Sequence, residues 1–354
     1  MQKIVFTGGG SAGHVIPNVA LIQELQKSGE YDLYYFGTDG IEKERIAPLR
    51  LPYFTYQAPK LKRGIALNSI KNNLTIPCRF SKAVKTVVKE LKNLHPDLVF
   101  SKGGYVALPV VTAAARLGIP CLTHESDLSP GLANMMMAKK CRNVLTAFPE
   151  TAKRFPNGVY TGQPLRGELF GVSKSTAKKT LADGTQRRVI LIFGGGSGSA
   201  AINDAVRRLA PTLCRRYFLL HVCGKGGTLD SNLQNYRQFE FIQDMGMAYA
   251  AADLIISRAG AGAVFETMAL KKPAIFIPLE GQTRGDQKEN ARYFAERGLC
   301  YALSQDRLNE LPKTIEKAMS DAGLKQRLWL APYSSGTKPV LQAIHNILRA
   351  EERK

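Results

Sequence analysis

Short aliphatic and β-branched runs alternate with helically periodic segments along the first half of the chain. Residues 3–7, 33–36, 98–101, 121–123 and 144–146 read as strands; strands separated by helix-length segments predict a parallel, doubly wound sheet. Phe80, Val84, Val87, Leu91 and Leu94 recur at spacings of three and four, the stripe of an amphipathic helix covering that sheet. The same grammar restarts at 189–193 and continues through 219–223, 254–257 and 274–278, which predicts a second α/β domain. Glycines and a proline accumulate within 160–186, so the linker is placed near the start of that segment. The expected domains are 1–162 and 163–337. The apolar pattern of a last helix, 338–354, suits either lobe, completion of the first being one option.

Both halves carry a glycine-rich turn where their first strand meets a helix. In the first it is Gly8, Gly9, Gly10, Ser11, Ala12, Gly13 and His14, with Pro17 tolerable in the first turn of the helix that follows. In the second it is Gly194, Gly195, Gly196, Ser197, Gly198 and Ser199, and Lys102, Gly103, Gly104 and Tyr105 form a third turn at a strand end. Turns without side chains let backbone N–H groups approach a phosphate, and the helix N-terminus adds positive partial charge. Gly8, Gly10 and Gly13 also fit the dinucleotide fingerprint, but the acid that a dehydrogenase needs is represented only by Asp39, later than the usual spacing. Two lobes with such turns can face one cleft and hold two phosphorylated substrates.

Composition narrows the setting. A chain of 354 residues, 44% hydrophobic and 22% charged, is large enough for two cores. Cys78, Cys121, Cys141, Cys214, Cys223 and Cys300 form no CxxC pair or Cys/His cluster, which argues against zinc and disulfides and for a reducing cytoplasm. No signal peptide is expected before the strand that starts near Met1, and no uncharged stretch approaches the roughly 20 residues of a spanning helix. The formal net charge of +20 calls for an anionic partner. Nine Lys or Arg against the single acid Glu90 lie within residues 60–92. Lys62, Arg63, Lys71 and Arg79 are interleaved there with Leu67, Ile70 and Leu74, a pattern suited to shallow insertion into an anionic leaflet. An ordinary solvated helix is the alternative.

Taken in order along the chain, these features resemble the MurG family, which transfers N-acetylglucosamine from UDP-N-acetylglucosamine to lipid I, giving lipid II for peptidoglycan. The resemblance spans essentially the whole sequence. It is carried by residues 8–14 with Pro17, by 101–106, by His124, Glu125, Ser126 and Asp127 with the following 130–134, by 161–166, and by Ser257, Arg258, Ala259, Gly260 and Glu266. It implies two Rossmann-like lobes of GT-B type facing a cleft, an inverting β-1,4 transfer, no required cofactor or metal, and a peripheral place at the cytoplasmic membrane face. Lipid I, the donor, an anionic membrane surface and other cell-wall synthesis proteins are the implied partners; nucleic acid is not among them. The chain departs from the family at Gly196, where a serine is common, and at Asp127, where asparagine often stands.

Residue roles follow partly from position and partly from the resemblance. His14, at a helix start where the dipole favours the neutral imidazole, is a general-base candidate, with Glu125 and His124 as alternatives. Gly10, Gly103, Gly104 and Tyr105 are expected at the acceptor diphosphate. For the donor, the resemblance points to Ser11, Ala12, Gly13, Asp127, Gly196, Ser197, Ala261, Gly262, Ala263 and Gln287, with Arg166 near the donor phosphates. It gives Glu266 the ribose hydroxyls and the Ile242 backbone the uracil; Phe241 is read as core. His95 and His345 read as surface residues and His221 as structural. The rival readings are a GT-B transferase acting on diacylglycerol, a dinucleotide oxidoreductase and, outside enzymes, a basic nucleic-acid-binding protein.

Overall fold

A computed structural model describes residues 1–61, 73–196, 198–280 and 286–352. Contacts divide the chain into two units, residues 1–166 joined by 335–354, and residues 167–334. The N-terminal unit holds seven strands, β1 (Gln2–Thr7), β2 (Tyr31–Gly37), β3 (Tyr53–Thr55), β4 (Leu98–Ser101), β5 (Cys121–Glu125), β6 (Asn143–Thr146) and β7 (Gly158–Tyr160). They pair in parallel in the order β3-β2-β1-β4-β5-β6-β7. The order reverses between β1 and β4, so the connections leaving their carboxyl ends run in opposite directions, and a doubly wound sheet opens a crevice there. The first glycine turn and the 102–104 turn leave these two strands.

Side chains of successive β1 residues go to opposite faces, and both faces are covered. Ile4 and Phe6 join Leu33, Leu98, Phe100, Leu122 and Leu145 on one side. Val5, Val99 and Cys121 lie on the other with Val84, Val87 and Leu91 of the Ile76–Leu94 helix. The stripe read from sequence is therefore the covering face of that helix, with Phe80 and Leu94 at its edges. The Thr337–Glu352 helix packs on the first face: Val340, Ile344 and Leu348 are buried among β1, β2 and β4. Periodicity gave this helix an apolar face without naming its partner; the partner is the N-terminal sheet.

The C-terminal unit repeats the plan with β8 (Arg188–Phe193), β9 (Tyr217–Val222), β10 (Tyr236–Phe239), β11 (Leu254–Ser257), β12 (Ala274–Phe276) and β13 (Tyr301–Ala302), all parallel in the order β10-β9-β8-β11-β12-β13. Ile190, Ile192, Leu219, Leu254, Ile256 and Ile275 pack against the Ala200–Leu213 and Leu311–Ser320 helices. The glycine turn after β8 and the turn after β11 again stand where the strand order reverses.

Candidate functional sites

In the N-terminal unit the first glycine turn is folded around a buried carboxylate. Glu42, wholly buried, accepts from the Gly10 N–H at 3.1 Å through Oε2, and from the Thr38 N–H at 3.0 Å and the Thr38 hydroxyl through Oε1. A Cβ on Gly9 would stand 2.5 Å from the carboxylate carbon of Glu42, and one on Gly10 would enter the Tyr105 ring. Gly10 itself has φ +79°, in the left-handed region. Asn18 fixes the turn from below, donating to the Thr7 carbonyl at 3.1 Å, while the Tyr35 hydroxyl donates to the Gly8 carbonyl at 2.6 Å. Sequence reading singled out neither Glu42 nor Asn18; both lie in helices, where they pass for ordinary polar positions.

His14 ends a short turn, Ala12–His14, placed before the Ile16–Ser28 helix. Its Nδ1 stands 3.1 Å from the Gly9 carbonyl and 3.2 Å from the Ser11 hydroxyl. A carbonyl only accepts, so Nδ1 carries the proton and Nε2 holds the basic lone pair. The 102–104 turn meets this residue directly: a Cβ on Gly104 would lie 2.8 Å from His14 Nδ1 and 2.9 Å from the Gly9 carbonyl. Gly104 opens the Gly104–Arg116 helix, whose N-terminus has no side-chain cap, so the first N–H groups of a 13-residue helix lack intrahelical acceptors beside the imidazole. Gly10 contributes shape here, since its own N–H is spent on Glu42.

The two alternative base candidates are held differently. Glu125 Oε1 accepts from the Asp127 N–H at 3.0 Å, and Oε2 from the Gly131 N–H and Asn134 Nδ2, both at 2.8 Å. It therefore fastens the loop that contains Asp127 and starts the Leu132–Ala138 helix. Asn134 in turn would collide with any Cβ on Gly103, at 2.5 Å. His124 is fully buried; its Nε2 donates to the Gly162 carbonyl at 2.9 Å, and burial, reinforced by the Lys102 charge, holds its pKa well below the usual imidazole value. Lys102, also wholly buried, donates to Ser126, which donates to Gln163 at 2.8 Å. Burial lowers its pKa to about 8, against the opposing pull of Glu125 and Asp127. Of the three base candidates, His14 alone is only partly buried.

The C-terminal unit supplies a second set of backbone donors. Ser199 caps the Ala200–Leu213 helix through its hydroxyl, and Arg258 donates to that hydroxyl at 2.7 Å and to the Ile277 and Pro278 carbonyls at 3.3 and 3.1 Å. Arg258 is thus a buried tie between the turns after β8, β11 and β12. Gly260 precedes the uncapped Ala261–Ala269 helix, and a Cβ on Gly260 or Gly262 would meet open space. Gly260 and Gly262 therefore present backbone with little in front of it. Glu266, on the second turn, accepts from the Tyr249 hydroxyl at 2.8 Å, a partner that sequence reading did not find. Gln287 Oε1 accepts from the Leu279 N–H at 2.9 Å. Gly196 lies in the turn after β8; Ser197 is outside the described residues. Ile242 is buried, whereas Phe241, read as core, is 55% exposed. That reading fails because Phe241 follows the edge strand β10, where only one of two neighbouring apolar residues can turn inward. His221 is buried between Tyr236 and Asn203, at 2.8 and 3.0 Å, as a structural residue should be.

Lys62, Arg63, Leu67, Ile70 and Lys71 lie outside the described residues. Leu74 is 76% exposed and Arg79 is exposed. No helix of the described residues is long and apolar enough to cross a membrane, and among those residues no group of three or more His, Cys, Asp or Glu is placed to hold a metal ion.

Two parallel α/β units, each with a glycine turn at its strand-order reversal, give the chain the GT-B architecture, the fold also seen in the calicheamicin glycosyltransferase CalG4 (TM-score 0.72, 15% identity, 98% of each chain). Models of the N-terminal and C-terminal domains of glycosyltransferase family 28 match residues 4–146 and 189–335. The chain belongs to that family, in its MurG branch. It is 43% identical to the UDP-N-acetylglucosamine–N-acetylmuramyl-(pentapeptide) pyrophosphoryl-undecaprenol N-acetylglucosamine transferase of Lachnoclostridium phytofermentans over 93% of each sequence. A second transferase of that description, from Bacillus thuringiensis, is 39% identical over 99% of this chain and 100% of its own. The crystal structure of Acinetobacter baumannii MurG superposes with TM-score 0.72 at 28% identity, covering 98% of this chain and all of the other.

Proposed function

We propose that the chain transfers N-acetylglucosamine from UDP-N-acetylglucosamine to the muramoyl C4 hydroxyl of lipid I, forming lipid II at the cytoplasmic face of the membrane. The observation that carries the chemistry is His14: its Nδ1 proton is committed to the Gly9 carbonyl, and it abuts the start of the Gly104–Arg116 helix. In this reading Nε2 takes the proton of the acceptor hydroxyl as its oxygen attacks the anomeric carbon. The bond from that carbon to the UDP oxygen breaks on the opposite face, UDP leaves with the electron pair, and the configuration inverts. Gly103, Gly104 and the helix start behind Tyr105 hold the acceptor diphosphate.

The donor is assigned chiefly to the C-terminal unit. The uncapped N–H groups of Ala261, Gly262 and Ala263, with Gly196 and Ser197, stabilise charge that develops on the leaving diphosphate, the service in which preorganised donors are most effective. Glu266, oriented by the Tyr249 hydroxyl, accepts hydrogen bonds from the ribose hydroxyls; Ile242 offers backbone to uracil and Gln287 an amide to the sugar. In the N-terminal unit, Ser11, Ala12, Gly13, Asp127 and Arg166 are the donor-contact candidates that the family resemblance supports. Leu74, Arg79 and the basic segment before them bring the enzyme to an anionic leaflet.

A donor screen by thermal shift tests the substrate assignment. UDP-N-acetylglucosamine should raise the melting temperature more than UDP-glucose, with NAD inert, and Glu266→Gln should weaken UDP and UDP-sugar alike. Equal stabilisation by NAD, or transfer to diacylglycerol in place of lipid I, would reject it.

A further inference from the structure

Trp329, the single tryptophan of the chain, is 75% exposed, and its neighbour Leu330 is 78% exposed. They end the Ala322–Leu330 helix, whose Leu324 and Leu328 are buried in the C-terminal unit. A lone exposed apolar residue is ordinary. Here two large ones adjoin, and the ground around them is cationic.

Lys325 is exposed one helical turn before Trp329, on the same side of the helix. Lys271 reaches the chain just beyond Leu330, donating to the Ala331 carbonyl at 2.6 Å and the Tyr333 carbonyl at 3.0 Å. Lys272 is held by the Ala250 and Ala252 carbonyls at 3.3 and 2.9 Å. Burial first, and then the nearby charges of Lys174 and Lys325, lower its pKa to about 8. Lys174 and Lys178 share the carboxylate of Asp253. Lys272 thus stands within electrostatic reach of Lys325 as well as of Lys174 and the Asp253 carboxylate, and Lys271 and Lys272 are bonded to carbonyls, which leave their charge uncancelled.

An indole and an aliphatic side chain at a helix end, with the exposed Lys325 ammonium one turn away and the Lys271 charge held beside the chain that follows, match the boundary of an anionic bilayer. The ring sits at headgroup level, and Lys325 reaches lipid phosphates while its stem lies along apolar surface. We propose that the Trp329–Leu330 end of this helix is a lipid-contact point of the C-terminal unit, seated on an anionic leaflet. It rests on the lipid-acceptor reading for its setting, but it uses residues separate from the basic segment of the N-terminal unit.

The unique tryptophan makes the test direct. The full chain is mixed with vesicles of phosphatidylcholine, alone or with phosphatidylglycerol, and both flotation and Trp329 emission are followed. Anionic vesicles should shift the emission to the blue, and brominated acyl chains should quench it. Trp329→Gln combined with Leu330→Gln should weaken vesicle binding by about tenfold, and Lys325→Gln by about fivefold. Turnover of a short-chain soluble acceptor and the melting temperature should stay at the wild-type level in both variants. Flotation with unchanged emission would overturn this contact and leave the N-terminal one standing. Absence of flotation, or equal binding to neutral vesicles, would overturn it as well. Emission that depends on protein concentration without lipid would assign the patch to a second copy of the chain. Soluble-acceptor turnover reports on the transferase reading independently of all these outcomes.

Discussion

Gly104→Ala isolates the contact between the 102–104 turn and His14. Gly104 has φ +81°, and the new methyl group would start 2.8 Å from His14 Nδ1 and 2.9 Å from the Gly9 carbonyl. Carbon contacts settle near about 3.5 Å, so the ring has to retreat by roughly 0.7 Å. A misplacement near 1 Å in a reacting group costs on the order of 10²-fold in rate, so kcat should fall by about that factor, with UDP-N-acetylglucosamine affinity within about twofold of wild type by calorimetry. The left-handed backbone adds a stability cost of about 1–2 kcal/mol, which a control can subtract. Gly118 shares the conformation, φ +72°, yet a Cβ there meets nothing within 4 Å. Gly118→Ala should therefore show a similar loss of melting temperature with full turnover. Equal turnover in the two variants, once both are shown to be folded, would refute the claim that the third glycine turn positions the base.

Three further outcomes follow from the same geometry. Glu42→Ala leaves the Gly10 and Thr38 donors without their acceptor and should cost about 1–3 kcal/mol in urea unfolding, since Gly10 is exposed and Thr38 half-buried and water can take up part of their bonding; a shift under about 0.5 kcal/mol would show that the turn does not depend on the carboxylate. The Lys102 pKa is lowered to about 8 from 10.5, so the unfolded chain binds more protons between those values, and this residue makes stability rise with pH across that window. Lys102→Met should remove that contribution, so the wild-type curve should climb relative to the variant from pH 8 to 10.5; parallel curves would contradict the burial of an ionisable amine. Ile344→Ala should cost about 2–5 kcal/mol and speed amide exchange in β1, β2 and β4, whereas faster exchange confined to β8, β9 and β11 would mean that the last helix stabilises the other unit.

Strands such as β1, β4 and β11 were legible because parallel sheets buried on both faces produce unbroken apolar runs. β3, β7, β10 and β13 were not. Each is short, and Tyr53, Tyr236 and Tyr301 within them are only partly buried, so no run distinguishes them from loops. The turn after β8 and those around Gly8 and Gly103 announced themselves because an absence of side chains is itself a signal. Glu42 did not: it lies in the charged Ile41–Ile46 helix, 32 residues from the Gly10 N–H it accepts. Glu125 was found but read as facing substrate, and its hydrogen bonds turn it inward to the 126–131 loop.

That asymmetry has a physical origin. A backbone cradle recognises an anion through groups every residue possesses, so its sequence trace is only the permission to bend, written as glycine. Permission does not hold a shape: free glycines cost more conformational entropy to fix than any other residue, and a cradle that reorganises on binding loses the benefit of prepaid orientation. Something else has to immobilise the turn, and in each half it is a buried polar side chain with its bonding capacity directed at the loop: Glu42 and Asn18 under the first turn, Arg258 behind Ser199. Such residues need no unusual spacing, because the fold and not the local sequence brings them to the turn. Substitutions among them should consequently lower turnover through the cradle's rigidity, and the loss should be larger for the transition-state charge on the leaving diphosphate than for ground-state donor binding.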